Sequence, residues 1–269
     1  MELLIKGRPQ AAERVAVPAG ALRYVGFAAW ALDDGQAWEG DSAGEEWCVV
    51  LLSGHVDVAV EHPRQGRFGW ERIGERDSVF ADLPPYAVYL PPGCRVRCCA
   101  HGRAEIAICK APGDPQANLP PRLIEPAVMR RSVRGREANT RFVCDILPDS
   151  EPAHSLLVVE VITPSGHSSS YPPHRHDSDD LPAQSFLEEI YYHRLDPLQG
   201  FVFQRVYSDE RDLDQALAVE NHDVVLVPRG YHPVCVPWGY RSYYLNVMAG
   251  PKRVWKFHND PAHAWLLGG

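Results

Sequence analysis

GHSSSYPPHRHD, residues 166–177, is the stretch on which the reading of the fold turns. His174 and His176 stand two apart, and on a β-strand side chains at i and i+2 share a face. The loop DSDDLPAQSFL (177–187) follows, then Glu189 at the start of the strand-like EEIYYHRL (188–195), and later His232 in PRGYH. Working outward, the chain is a series of short runs rich in Val, Ile and Tyr, bounded by Pro, Gly, Asp and Asn. They include CVVLLSGHVDVAV (48–60), YAVYLPPGCRVRCCA (86–100), AEIAICKA (104–111), SLLVVEVITP (155–164), GFVFQRVY (200–207), DVVLVPRG (223–230) and YRSYYLNVMAG (240–250). Such runs read as strands. With 24 prolines and 21 glycines and little helical periodicity, the chain is expected to be an all-β sandwich or barrel protein. DLDQALAV (212–219) fits either a helical turn or a hairpin loop.

A weak internal repeat supports two similar antiparallel β-barrels. Glu45-Glu46-Trp47, a strand and Pro91-Pro92-Gly93-Cys94-Arg95 in the first half answer Glu188-Glu189-Ile190, a strand and Pro228-Arg229-Gly230-Tyr231-His232 in the second. The expected organisation is an N-terminal barrel over 1–115, a linker over 116–140 and a C-terminal barrel over 141–269. The basic run MRRSVRGRE (129–137) in the linker reads as a solvated connection or strand entry rather than a phosphate-binding patch.

The formal net charge of −8 disfavours nucleic acid as a partner, because phosphate binding needs a basic surface. Seven cysteines with no CxxC pair suit a reduced, cytoplasmic chain. The polar start MELLIKGRPQ does not read as a signal peptide, and no apolar run is long enough for a membrane helix. A small-molecule ligand and a homo-oligomer remain open to such a chain.

If the HxH face points into a barrel, both imidazoles reach one interior point, where Glu189 and His232 join them. Three imidazoles and one carboxylate suit a divalent transition metal: zinc first, with manganese, iron or nickel as alternatives. Four protein ligands leave a coordination position open, as catalysis requires. Glu189 rather than Glu188 is the expected ligand, because a one-residue slip turns a side chain to the other face and Glu189 continues through Tyr191 and His193. Glu188 is then expected at the surface. Arg95 stands at the apparent counterpart of His232, and no HxH precedes Glu46, so the N-terminal barrel is expected to be metal-free.

SYPPHRHD, EEIYY, GFVFQRVYSDE, DVVLVPRGYHPV, YYLNVMAGP, DPAHAWL and IGERDSVFADLPPYAVYLPPG (73–93) together resemble the 5-deoxy-glucuronate isomerase family of bacterial inositol catabolism. That family is related to the 4-deoxy-hexosulose-uronate ketol-isomerases, and the likeness runs over almost the whole chain. The resemblance implies a bicupin, a chain of two jelly-roll barrels, with the metal in the C-terminal cupin on His174, His176, Glu189 and His232. It departs from the family at His167-Ser168, where an Asn-Trp pair is usual, and at His222, where cupins tend to have glycine. His167, His193, His222, His258 and His263 are expected to be structural.

The resemblance also implies the chemistry: conversion of 5-deoxy-D-glucuronate to 5-dehydro-2-deoxy-D-gluconate, an aldose–ketose isomerisation of a small sugar acid. Tyr191 and Tyr244 are candidate catalytic residues; Gln204, Arg205 and Asn246 are candidate substrate contacts, with Arg205 as the alternative carboxylate clamp. Gln204 and Arg205 cannot both point inward from one strand. Competing expectations are a related uronate isomerase, an iron dioxygenase and a non-enzymatic sugar-binding cupin.

Overall fold

In the computed structural model, which describes residues 1–267, the chain is all β, with three short 3-10 turns and no α-helix among the described residues. The strand-like runs all form strands. CVVLLSGHVDVAV lies within Glu45–His62, and YAVYLPPGCRVRCCA divides at its Pro-Pro-Gly turn into Ala87–Leu90 and the beginning of Arg95–Pro112. DLDQALAV is neither a helical turn nor a loop: Asp214–Glu220 is a strand paired with Phe201–Tyr207. Its half-buried Gln215 and Leu217 and buried Val219 alternate with exposed neighbours, the period of two that marks a strand.

The first sheet is built on two 18-residue strands, Glu45–His62 and Arg95–Pro112, antiparallel along almost their full length. Bulges around Ser53 bend the pair. Gly54 has φ +81° there, and a Cβ on it would stand 2.3 Å from the Arg103 carbonyl oxygen, so glycine is required at the corner. The second half is a seven-stranded sheet in the order Leu4–Ile5, Val224–Val227, Glu188–Asp196, Arg241–Ala249, Leu157–Thr163, Arg141–Leu147 and Arg130–Arg134. A four-stranded sheet of Ser168–Ser169, Val234–Cys235, Phe201–Tyr207 and Asp214–Glu220 completes it. The basic run supplies the edge strand Arg130–Arg134, and Arg122–Ile124 adds to the first sheet beside Ala87–Tyr89. Leu4 and Ile5 cross to pair with Val225 and Val224 of the second half.

Alternation along Glu45–His62 divides the first sheet into two faces. Trp47, Val49 and Leu51 fill the interior of their own barrel with Val88, Leu90, Cys94, Val96, Ile106 and Ile108. Cys48, Val50 and Leu52 face the other way and merge with Ile190, Tyr192 and Leu245 into a core shared by both halves. The repeat is therefore offset by one residue from the alignment of its Glu-Glu pairs. Glu46 faces the second half, accepting the backbone N–H groups of His154, Ser155 and Leu156 at 2.6–2.7 Å and the Tyr89 hydroxyl at 2.6 Å. Glu188, expected at the surface, is buried and faces the first half, accepting the backbone N–H groups of Arg23 and Tyr24. Trp47, not Glu46, thus occupies the inward position that Glu189 holds in the second barrel. Arg95 is also displaced from its expected place: it is exposed beside Asp41, and its buried neighbour is Cys94.

Candidate metal centre

Ligand nitrogens of His174, His176 and His232 lie within 4.8 Å of one another. Each arrives by a different local device. His174 lies in the two-residue strand His174–Arg175 and His176 in the extended chain just after it; both imidazoles come to the same point, while Arg175 between them turns to Asp209 at 3.0 Å. The strand holding them is covered by the C-terminal segment: His174 pairs with Asn259, and the Phe257 ring lies 4.7 Å from the His174 ring. Glu189 enters from the central strand Glu188–Asp196. His232 follows Gly230, whose φ of +89° and close approach to the Tyr207 carbonyl oxygen allow no side chain.

Glu189 Oε2 stands 3.0 Å from His176 Nε2 and 3.1 Å from His232 Nε2. Spacings of about 3 Å between donor atoms are what bonds of about 2.1 Å at right angles to one ion produce. The far nitrogens are committed. His176 Nδ1 donates to the Leu187 carbonyl at 3.0 Å and His232 Nδ1 to the Gly230 carbonyl at 2.9 Å. A carbonyl can only accept, so in the neutral rings Nε2 carries a lone pair, which is how second-layer contacts prepare imidazoles for a metal. His232 Nε2 is fully buried, no donor reaches its lone pair, and Asn246 donates to the other oxygen of Glu189. The donor set therefore fits a divalent transition ion.

The electrostatics agree. Burial lowers the pKa of His174, and the neighbouring His232 and His176 lower it further. Burial also lowers that of His176, but once a proton sits on Nε2 the ring donates to the Glu189 carboxylate, and that hydrogen bond and charge interaction raise it overall. Burial pushes Glu189 up, yet His232 and His176 hold it far below the usual carboxylate range. A cation, proton or metal, is thus held strongly at this point.

The remaining candidates separate by strand face. Tyr191, Asn246 and Tyr244 lie on the inner face with Glu189: Tyr191 pairs with Asn246 and His193 with Tyr244 across the adjacent strand. Tyr191 is 2.8 Å from the Ser170 hydroxyl, and its ring is 4.8 Å from that of Tyr244. Gln204 also points inward, fully buried, and meets His193 at 3.0 Å. Arg205 points outward and holds both oxygens of Asp214 at 2.7 Å, which removes it from the histidine cluster. His167 sits in a turn against the Ser165 carbonyl, and His263 lies 3.9 Å from Asp260. His222 has φ +72° and meets the Tyr192 hydroxyl at 2.7 Å; the left-handed backbone explains why glycine suits that position. Ser170, which meets Tyr191, and Arg141, which shares the sheet face of Tyr244, carry no signal in the sequence, because only the folding of distant segments together brings them there.

Fold and site together define a bicupin with, among the described residues, one buried histidine–carboxylate cluster, in its second barrel. An oxalate decarboxylase of Lactobacillus farciminis, solved as a formate complex, shares the fold at a TM-score of 0.67 and 13% identity, covering 100% of this chain and 91% of its own. The sequence pattern of the KduI/IolB family matches residues 5–266, and the chain belongs to that family. An IolB-like protein of Salmonella typhimurium LT2 is 44% identical with a TM-score of 0.93, covering 99% of this chain and 100% of its own. The 5-deoxy-glucuronate isomerase of Geobacillus kaustophilus is 50% identical over 244 residues, 91% of this chain and 86% of the relative. That of Bacillus subtilis strain 168 is 50% identical over 247 residues, 91% and 89% of the respective chains.

Proposed function

We propose that this chain is an aldose–ketose isomerase that converts 5-deoxy-D-glucuronate to 5-dehydro-2-deoxy-D-gluconate with one divalent ion, zinc foremost, held by His174, His176, Glu189 and His232. The observation that carries the reading is the half-identity, across nine-tenths of the chain, to relatives bearing that enzyme's name. The buried cluster adds the chemistry.

The reaction moves hydrogen within one molecule: C2 loses its C–H proton, C1 gains one, and a proton passes from the C2 hydroxyl to the C1 oxygen. A bound divalent ion supplies Lewis-acid polarisation of the carbonyl. The Tyr191 and Tyr244 phenols are kept neutral at ordinary pH, because burial raises both pKa values. They therefore act as hydrogen-bond donors to the substrate oxygens and carry the proton between them. Asn246 fixes Glu189, and Gln204 with His193 forms the polar floor. Seven free cysteines suit a reducing cytoplasm, and no helix among the described residues is long and apolar enough to cross a membrane.

The test is to strip the protein of metal, reload it with zinc under argon and follow 5-deoxy-glucuronate by NMR. Conversion to the ketose with no other reagent is expected. Turnover only with iron(II) and oxygen would make it an oxygenase instead.

A further inference from the structure

The substrate proposed above carries a carboxylate at the end remote from its aldehyde, and a buried carboxylate needs a cation. Arg205 is turned away, Arg175 is paired with Asp177 and Asp209, Arg134, across from Arg141 on the next strand, is paired with Asp145 at 3.5 Å, and Arg253 is tied to backbone carbonyls at 147–156. One arginine on the inner side stands apart. Arg141 opens the strand Arg141–Leu147, two residues before the inward Val143, which pairs with Val161 and, through it, with Tyr244. It therefore lies on the same face as Tyr244, Asn246 and Glu189. Its Nη1 donates to the carbonyls of Asn139 and Tyr171 at 3.1 and 3.2 Å, which fixes it beside the segment leading to His174. Among the described residues no carboxylate pairs with it, and its remaining N–H groups have no protein acceptor. Unpartnered hydroxyls cluster on the same faces: Thr163 and Ser242, opposite each other on the adjacent strands, and Ser169 are buried with no hydrogen-bond partner.

We propose that Arg141 is the specificity residue that binds the substrate carboxylate, with Thr163, Ser242 and Ser169 nearby for its hydroxyls. The assignment rests on the uronate reading above. A half-buried guanidinium with a free edge offers the two-pronged geometry that a carboxylate prefers. Burial, with the like charge of Arg134, lowers the Arg141 pKa, as expected of a cation without a counter-ion. A bound carboxylate would supply the missing partner and point the sugar's other end at the histidines.

The experiment compares wild type, Arg141→Gln and Arg141→Lys on two sugars: 5-deoxy-glucuronate and 5-deoxy-glucose, its neutral counterpart. Calorimetry on the zinc-loaded protein measures binding of the C1 alditol of the uronate, which keeps the carboxylate and cannot isomerise. Arg141→Gln is expected to weaken alditol binding roughly 10- to 150-fold, the range for one charge-assisted contact, and to collapse the preference for the uronate. Arg141→Lys should recover part of both. Unchanged zinc content and thermal midpoint exclude a folding defect. If wild type isomerises the uronate and Arg141→Gln keeps its preference and alditol affinity, the assignment is overturned while the proposed function stands. Arg141-dependent alditol binding without isomerisation by wild type would support the carboxylate site and overturn the proposed reaction.

Discussion

Glu46 and Glu188 are counterparts: each is a buried carboxylate, one in each half, that accepts backbone N–H groups from the other half. The two barrels are thereby joined through reciprocal, charge-assisted hydrogen bonds rather than by apolar packing alone. A carboxylate with several N–H donors is stabilised strongly, and its removal strands those donors. Glu46→Ala should cost about 3 kcal/mol of stability and Glu46→Gln about 1–2 kcal/mol, read from urea denaturation. An unchanged midpoint for Glu46→Ala would show that the joint contributes nothing.

A second joint is the pair of Arg76 with Glu160, each guanidinium nitrogen 3.0 Å from its own carboxylate oxygen. The Tyr243 hydroxyl also donates to Glu160, and Arg76 Nε donates to the Leu52 carbonyl. Arg76→Met leaves Glu160 buried and unpaired and should destabilise the protein by about 3–5 kcal/mol. The double variant Arg76→Met/Glu160→Leu should recover most of that loss, since it removes both charges. A double variant as unstable as the single one counts against this.

Metal content should be one ion per chain, held by the second barrel. The inward position matching Glu189 is Trp47, and the first barrel's interior is filled with apolar side chains. His176→Ala or His232→Ala should abolish tight binding. Asn246→Leu, which deprives Glu189 of a donor, should weaken affinity about 10- to 100-fold while keeping the stoichiometry. Elemental analysis and chelator competition measure these. Two ions per wild-type chain, or full loading of His176→Ala, would contradict the ligand set.

Stability should fall as the pH drops from about 6.5 toward 3, partly through His222. Burial, together with the charge of Arg194, lowers its pKa to about 3. The unfolded chain takes up a proton near pH 6.5 and the folded chain does not, so the unfolded state binds more protons across that window. The loss approaches about 1.4 kcal/mol per pH unit. His222→Asn keeps a residue tolerant of the left-handed backbone and should flatten the profile. Parallel urea midpoints at pH 7 and pH 5 decide it; equal slopes in the two proteins would exclude His222 as a source.

The strands were legible because alternation and turn residues are local. Glu188–Asp196 and Arg241–Ala249 appear almost where their Tyr- and Val-rich runs begin and end. The strand Asp214–Glu220 was obscured because short Ala-rich segments carry little contrast between faces. The pairing of repeats by their Glu-Glu motifs slipped by one residue, because adjacent glutamates look alike until the sheet assigns each a face.

By itself, the sequence determined the all-β architecture and the convergence of His174, His176, Glu189 and His232. Both follow from spacing along one strand and from the order of strands. Only the tertiary structure decided that Arg205 faces Asp214 while Arg141 shares the sheet face of Tyr244, and that Trp47 takes the place of a ligand in the first barrel. Those outcomes depend on which face of each strand is buried and on which distant strand lies beside it. Such pairing is a property of the folded sheet, with hydrogen bonds between residues far apart in the chain, and no local pattern carries it.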